Sequence, residues 1–96
     1  MANQIRKTQD PDGRVFTNDL KKGDEAMVHG AWCKINDNLK GNIRQIEALL
    51  IGGGGTEIGS CYAWEIVQAK WNGQIVPVFH TPAQMKNKKL VRAALP

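Results

Sequence analysis

Long apolar runs are missing from this chain: no stretch of about 18 consecutive apolar residues occurs among its 96, which excludes a transmembrane helix. The opening MANQIRKTQD also lacks the apolar core of a secretory signal, so the chain is expected to stay in a cytoplasm rather than be secreted. Cysteine is scarce. Cys33 and Cys61 are too few for a disulfide scaffold, and in a reducing compartment two buried thiols are the default, although a barrel could bring them together as a pair.

Ligands for chemistry are equally few. His29, Cys33, Cys61 and His80 are the only soft metal ligands, and gaps of 3, 27 and 18 intervening residues fit no finger, ribbon or knuckle. Ser60 and Cys61 have no adjacent base and no motif that would supply an oxyanion hole. The tract Gly52-Gly53-Gly54-Gly55 precedes Thr56 without the Lys-Ser/Thr of a phosphate loop, and reads as a mobile loop. No catalytic centre, metal or cofactor is expected.

Acidic residues are absent after Glu65. Residues 1–80 carry nine Lys/Arg and nine Asp/Glu, so the net +4 comes from Lys86, Lys88, Lys89 and Arg92. A neutral body ends in a basic segment. These four side chains form either a solvated face or a contact for nucleic acid or an acidic protein surface.

What is present is a hairpin. WEIVQAKW and QIVPVFHT flank Asn72-Gly73, the strongest short-range signal for a type I′ turn, which needs positive φ at both central residues. A two-residue loop sets Trp71 opposite Gln74, Lys70 opposite Ile75, Ala69 opposite Val76 and Val67 opposite Val78. One face then carries Val67, Ala69, Val76 and Val78. The other carries Trp64, Ile66, Ile75, Pro77 and Phe79, and is equally apolar. Pro77 faces Gln68 in a non-hydrogen-bonded pair, so its missing N–H points to an open edge. The same register sets His80 opposite Glu65.

Elsewhere the elements are short. Residues 1–16 read as an extended arm with a turn at Asp10-Pro11-Asp12-Gly13. Residues 17–96 read as one domain. Lys22-Gly23-Asp24, His29-Gly30 and 37–41 are turns separating strands at 25–28 and 31–36. Residues 42–50 are assigned to a strand with a bulge near Arg44-Gln45, against a competing helix favoured by apolar spacings of three and four. A long strand spans 61–71. Thr81-Pro82-Ala83-Gln84 opens a helix, with Thr as N-cap, Pro in the first turn and Gln three after the cap. That helix is expected to end near Asn87, followed by a last strand at 89–94.

The class is therefore mainly β: a small SH3-like barrel of five or six short antiparallel strands, with one short helix before the last strand. Leu20, Gly23, Asp24, Val28, Gly30, Ile35 and Gly41 resemble the KOW-type opening of such barrels, departing from it at Glu25-Ala26. The elements together with the short polar arm also resemble small phage-encoded proteins of unknown role.

A hairpin apolar on both faces needs a cover for each. The functional expectation is a non-enzymatic module that decorates or cements a larger assembly such as a viral capsid, with a capsid protein or further copies as partners. Its contacts are expected at Ile5, Val15 and Phe16 of the arm and at Trp64 and Phe79. The alternative is a nucleic-acid-binding or host-regulating protein using Trp32 and Trp71 for stacking and Lys86, Lys88, Lys89 and Arg92 for phosphates.

Overall fold

A computed structural model describes residues 5–38, 40–49 and 55–95. Seven strands and one helix follow in the order β1 (Val15–Phe16), β2 (Glu25–Val28), β3 (Ala31–Ile35), β4 (Ile43–Leu49), β5 (Thr56–Tyr62), β6 (Ile66–Trp71), β7 (Gln74–Phe79) and α1 (Pro82–Ala94). The strands form one mixed sheet in the spatial order β1-β7-β6-β2-β3-β4-β5. Among the described residues, only β1 and β7 pair in parallel. The fold is mainly β as expected, but the sheet stays open, with β1 and β5 at its two edges, rather than closing into the expected small barrel of antiparallel strands.

Two hairpins follow from local chemistry. Asn72 and Gly73 have φ of 49° and 80°, and His29 and Gly30 have 51° and 79°, the positive-φ pairs of a type I′ turn. The pairing Gln68–Pro77, Ala69–Val76, Lys70–Ile75 and Trp71–Gln74 is the one the Asn72-Gly73 loop dictates. Residues 43–49 are strand rather than helix, paired without interruption from Ile43–Tyr62 to Leu49–Thr56. The tract 51–54 lies outside the described residues.

Three expectations need correction. The irregularity lies in β6 and not near Arg44: Val28 pairs with Ile66 and Met27 with Gln68, leaving Val67 as an extra residue. This bulge returns Ile66 to the same face as Ala69 and Trp71, all three buried, and leaves Val67 exposed. The expected strand 61–71 is broken by a 3₁₀ turn at Ala63–Glu65, where Glu65 accepts from the Tyr62 N–H at 2.8 Å. The helix continues through 89–94 instead of yielding to a strand, since Lys, Leu, Arg and Ala are all strong helix formers.

Behind one face of the sheet lies the core: Val15, Leu20, Ala26, Val28, Cys33, Ile35, Cys61, Ile66, Ala69, Trp71 and Val78. Arg44 of β4 is buried within the fold. Its guanidinium donates to Asp37 Oδ1 at 2.7 Å and to the carbonyls of Thr17 at 2.6 Å and Leu20 at 2.7 Å. It thereby ties the 3₁₀ turn Thr17–Asp19 to the sheet.

Candidate interaction surface

The arm folds back on its own sheet. The Arg6 backbone N–H donates to Asn72 Oδ1, and Asn72 Nδ2 donates to the Arg6 carbonyl, both at 2.9 Å. The Arg6 guanidinium meets Asp24 Oδ1 at 2.5 Å and the Asp19 carbonyl at 3.1 Å. It also covers the Trp71 indole, 4.2 Å from the ring centroid. Farther along, Gly13 N–H closes the predicted turn onto the Asp10 carbonyl at 3.0 Å. Arg14 then grips Asp10 at 2.9 and 3.2 Å, which holds the Asp10 carboxyl below its ordinary value.

Where the arm joins the sheet an aromatic pair forms. Val15 and Phe16 pair with Val78 and Phe79, and the two phenyl rings lie 6.0 Å apart at 42°. The Arg14 guanidinium sits 5.5 Å from each ring. Between the arm and the outer edge of β7 runs a cleft of about 800 Å³, bordered by Arg6, Lys7, Arg14, Trp71, Gln74 and Phe79.

The outer face of β7 is bare. Ile75, Pro77 and Phe79 alternate along it, so their side chains share one face; Ile75 is 59 % and Phe79 40 % exposed. Val67, pushed out by the bulge, adds a further 52 %-exposed apolar side chain on the adjacent strand. The hairpin register anticipates Ile75, Pro77 and Phe79 on this face. It misses Val67, because the bulge depends on how β6 pairs with β2 and not on the hairpin.

The remaining expected contact residues are spread across the molecule. Val15 is buried in the core and Ile5 is exposed at the start of the described arm. Trp64 is half-buried, stacked on Tyr62 at 5.2 Å and 8°. Its Nε1 donates to Asn87 Oδ1 at 3.1 Å, and Lys88 lies 5.8 Å from its ring. Helix α1 is therefore its cover. Trp71 is only 8 % exposed beneath Arg6. Trp32 lies at the surface with Lys70 Nζ 5.1 Å from its ring, and Lys70 in turn meets Glu25 at 2.7 Å. That bond holds the Glu25 carboxyl below its ordinary value. The two tryptophans expected as a stacking platform thus have different environments. Of the basic group, Lys86, Lys89 and Arg92 are exposed on α1 and Lys88 is half-buried.

The two cysteines and two histidines all have structural surroundings. Both cysteines are free and buried, and burial pushes the Cys61 thiol up to about 11, far from a reactive thiolate. His80 does not face Glu65: its Nε2 lies 2.8 Å from the Ile66 carbonyl. Glu65 instead receives His29 Nε2 at 2.8 Å. No group of three or more His, Cys, Asp or Glu side chains able to hold a metal occurs among the described residues, and no described helix is long and apolar enough to cross a membrane. No protein-family model, curated protein or solved structure matches the chain.

Proposed function

We propose that this chain is a non-enzymatic interaction module that docks through the outer face of β7, contributing a small β element to a larger protein assembly. The observation that carries this reading is the run Ile75, Pro77 and Phe79, bare along one strand and continued by Val67. Apolar side chains grouped on one strand lose free energy to water that a partner surface would recover, at about 25 cal/mol per Å² covered. Arg14, held over the two phenyl rings, supplies a polar rim of the kind that surrounds apolar contact patches.

The concrete form we favour is a decorating or cementing subunit on a protein shell such as a phage capsid. Nucleic-acid binding is the weaker alternative, because Trp71 lies under Arg6 and Lys70 is engaged by Glu25. In the test, native material is sedimented from its source, and a tagged Ile75→Lys/Phe79→Ser variant is compared with the unsubstituted chain. Co-sedimentation with a large particle, lost in the variant, supports the reading. A free species in both cases refutes it.

A further inference from the structure

We propose that β5 is a second docking site, whose occupant is the β5 strand of another copy of this chain, paired antiparallel across a two-fold axis at Ile58. The two edges of the sheet differ in protection. On one side β1 is two residues long, and Pro77 interrupts the donors of the neighbouring strand, which are common ways of blocking strand addition. On the other side β5 is seven residues, TEIGSCY, with neither Pro nor Lys, and Thr56–Ser60 are all exposed. Ile58 is 62 % exposed.

The phase of the ladder shows what that edge offers. Ala63 N–H donates to the Asn42 carbonyl at 2.7 Å, and the pairing continues unbroken from Ile43–Tyr62 to Leu49–Thr56. Hydrogen-bonded pairs alternate in an antiparallel ladder. Cys61, Gly59 and Glu57 therefore turn their backbone groups toward β4, and Thr56, Ile58 and Ser60 turn theirs outward to the free edge.

A two-fold axis at any residue of β5 matches outward groups to outward groups, so the side chains and the remaining donors decide between registers. Centring on Glu57 sets two carboxylates directly opposite, which is destabilising. Centring on Gly59 leaves no side chain at the axis and places Glu57 opposite the buried Cys61. Centring on Ile58 pairs isoleucine with isoleucine, Thr56 with Ser60 and Glu57 with Gly59. Each of these is a compatible cross-strand neighbour, and about six backbone hydrogen bonds form. Centring on Ser60 would need the Tyr62 N–H, which already donates to Glu65 at 2.8 Å, and centring on Thr56 engages only the first residues of the strand. The Ile58 register has none of these defects. It yields an isologous dimer with one continuous sheet. The inference is independent of the β7 reading, since the two surfaces lie at opposite sides of the sheet.

The full chain is examined by sedimentation over a wide concentration range, alongside Ser60→Pro, Ile58→Lys and Ile75→Lys. Proline at 60 removes an outward N–H and leaves the β4 ladder intact, so circular dichroism should not change. The expected result is a concentration-dependent dimer that becomes monomeric in Ser60→Pro and Ile58→Lys but persists in Ile75→Lys. Under mild oxidation Ile58→Cys should cross-link to itself, because directly opposed residues of a hydrogen-bonded pair lie about 5.5 Å apart, within disulfide reach. Thr56→Cys should not, since its partner is Ser60. A monomer at every concentration, a dimer indifferent to both β5 substitutions, or equal cross-linking at 56 and 58 would overturn the proposal.

Discussion

The guanidinium of Arg6 lies 4.2 Å from the centroid of the Trp71 indole, with its Nη1 on Asp24 and its Nη2 on the Asp19 carbonyl. One side chain thus joins the arm, the β6–β7 hairpin and the loop entering β2. A cation over a tryptophan face contributes about 0.5–2 kcal/mol depending on desolvation. Here Trp71 is buried but Arg6 is about a third exposed, so the middle of that range applies.

Arg6→Ala is therefore expected to undock the arm without unfolding the sheet. The loss should be about 1–2 kcal/mol, visible as roughly tenfold faster cleavage at Lys7 by a lysine-specific protease. Arg6→Lys should behave similarly, because an ammonium cannot lie flat on the indole while also donating in two directions. If neither variant changes cleavage at Lys7, the arm is held by Asn72 and the strand β1 alone.

Arg44 presents a sharper case. Its side chain is fully buried and its partner Asp37 is 9 % exposed, so solvent screens the pair little. Truncating one member of a buried ion pair leaves the other charge uncompensated and costs about 3–5 kcal/mol. Arg44→Met should fall in that range by urea denaturation. Adding Asp37→Asn should recover part of the loss, and a double-mutant cycle would measure the coupling. Independent, additive losses would mean that Arg44 acts only through the Thr17 and Leu20 carbonyls.

These two arginines mark where sequence reasoning stops. Asn72-Gly73 and His29-Gly30 declare their turns locally, and a two-residue loop fixes register, so β2, β3, β6 and β7 and the bare face carrying Ile75 and Phe79 could be read from residue order. Arg44 could not, because an arginine is mostly exposed unless paired, and its pairing with Asp37 and two loop carbonyls exists only in the folded chain. Arg6 gave no pattern for the same reason. The bulge at Val67 arises from the β2–β6 pairing, a contact between segments some forty residues apart in sequence. The stretch 89–94 differs from expectation for another reason: the helix begun at Thr81 runs on without a break, because Lys, Leu, Arg and Ala favour its continuation.

That cap has two unequal halves. Thr81 Oγ1 accepts from the Gln84 N–H at 3.2 Å, and Gln84 Oε1 accepts from the Thr81 N–H at 2.9 Å. Gln84 is also buried, and its Nε2 donates to Asn18 Oδ1 at 2.9 Å and to the Gly41 carbonyl at 3.1 Å. Thr81→Ala should cost about 1 kcal/mol, the usual value of an N-cap. Gln84→Ala should cost more, about 2–3 kcal/mol, because it also strands polar partners away from water. Chemical denaturation of the two variants gives the order directly, and equal losses would show that the links to Asn18 and Gly41 contribute nothing.

The acid limb of stability tests His80. Burial holds this imidazole below its ordinary value of 6.5, against the opposing hydrogen bond to the Ile66 carbonyl. Because the folded value lies below the unfolded one, the unfolded chain takes up the proton first. Stability from His80 is therefore complete above about pH 6.5 and declines as the pH falls through the window beneath it, ending at the folded value. His80→Gln retains an N–H donor for Ile66 and does not titrate. Unfolding free energies measured from about pH 7 to 5 should fall less steeply for this variant than for the parent chain. His29 remains with Glu65 in both proteins, so the difference between the two curves isolates His80. Parallel curves would place its ring in water rather than against β6.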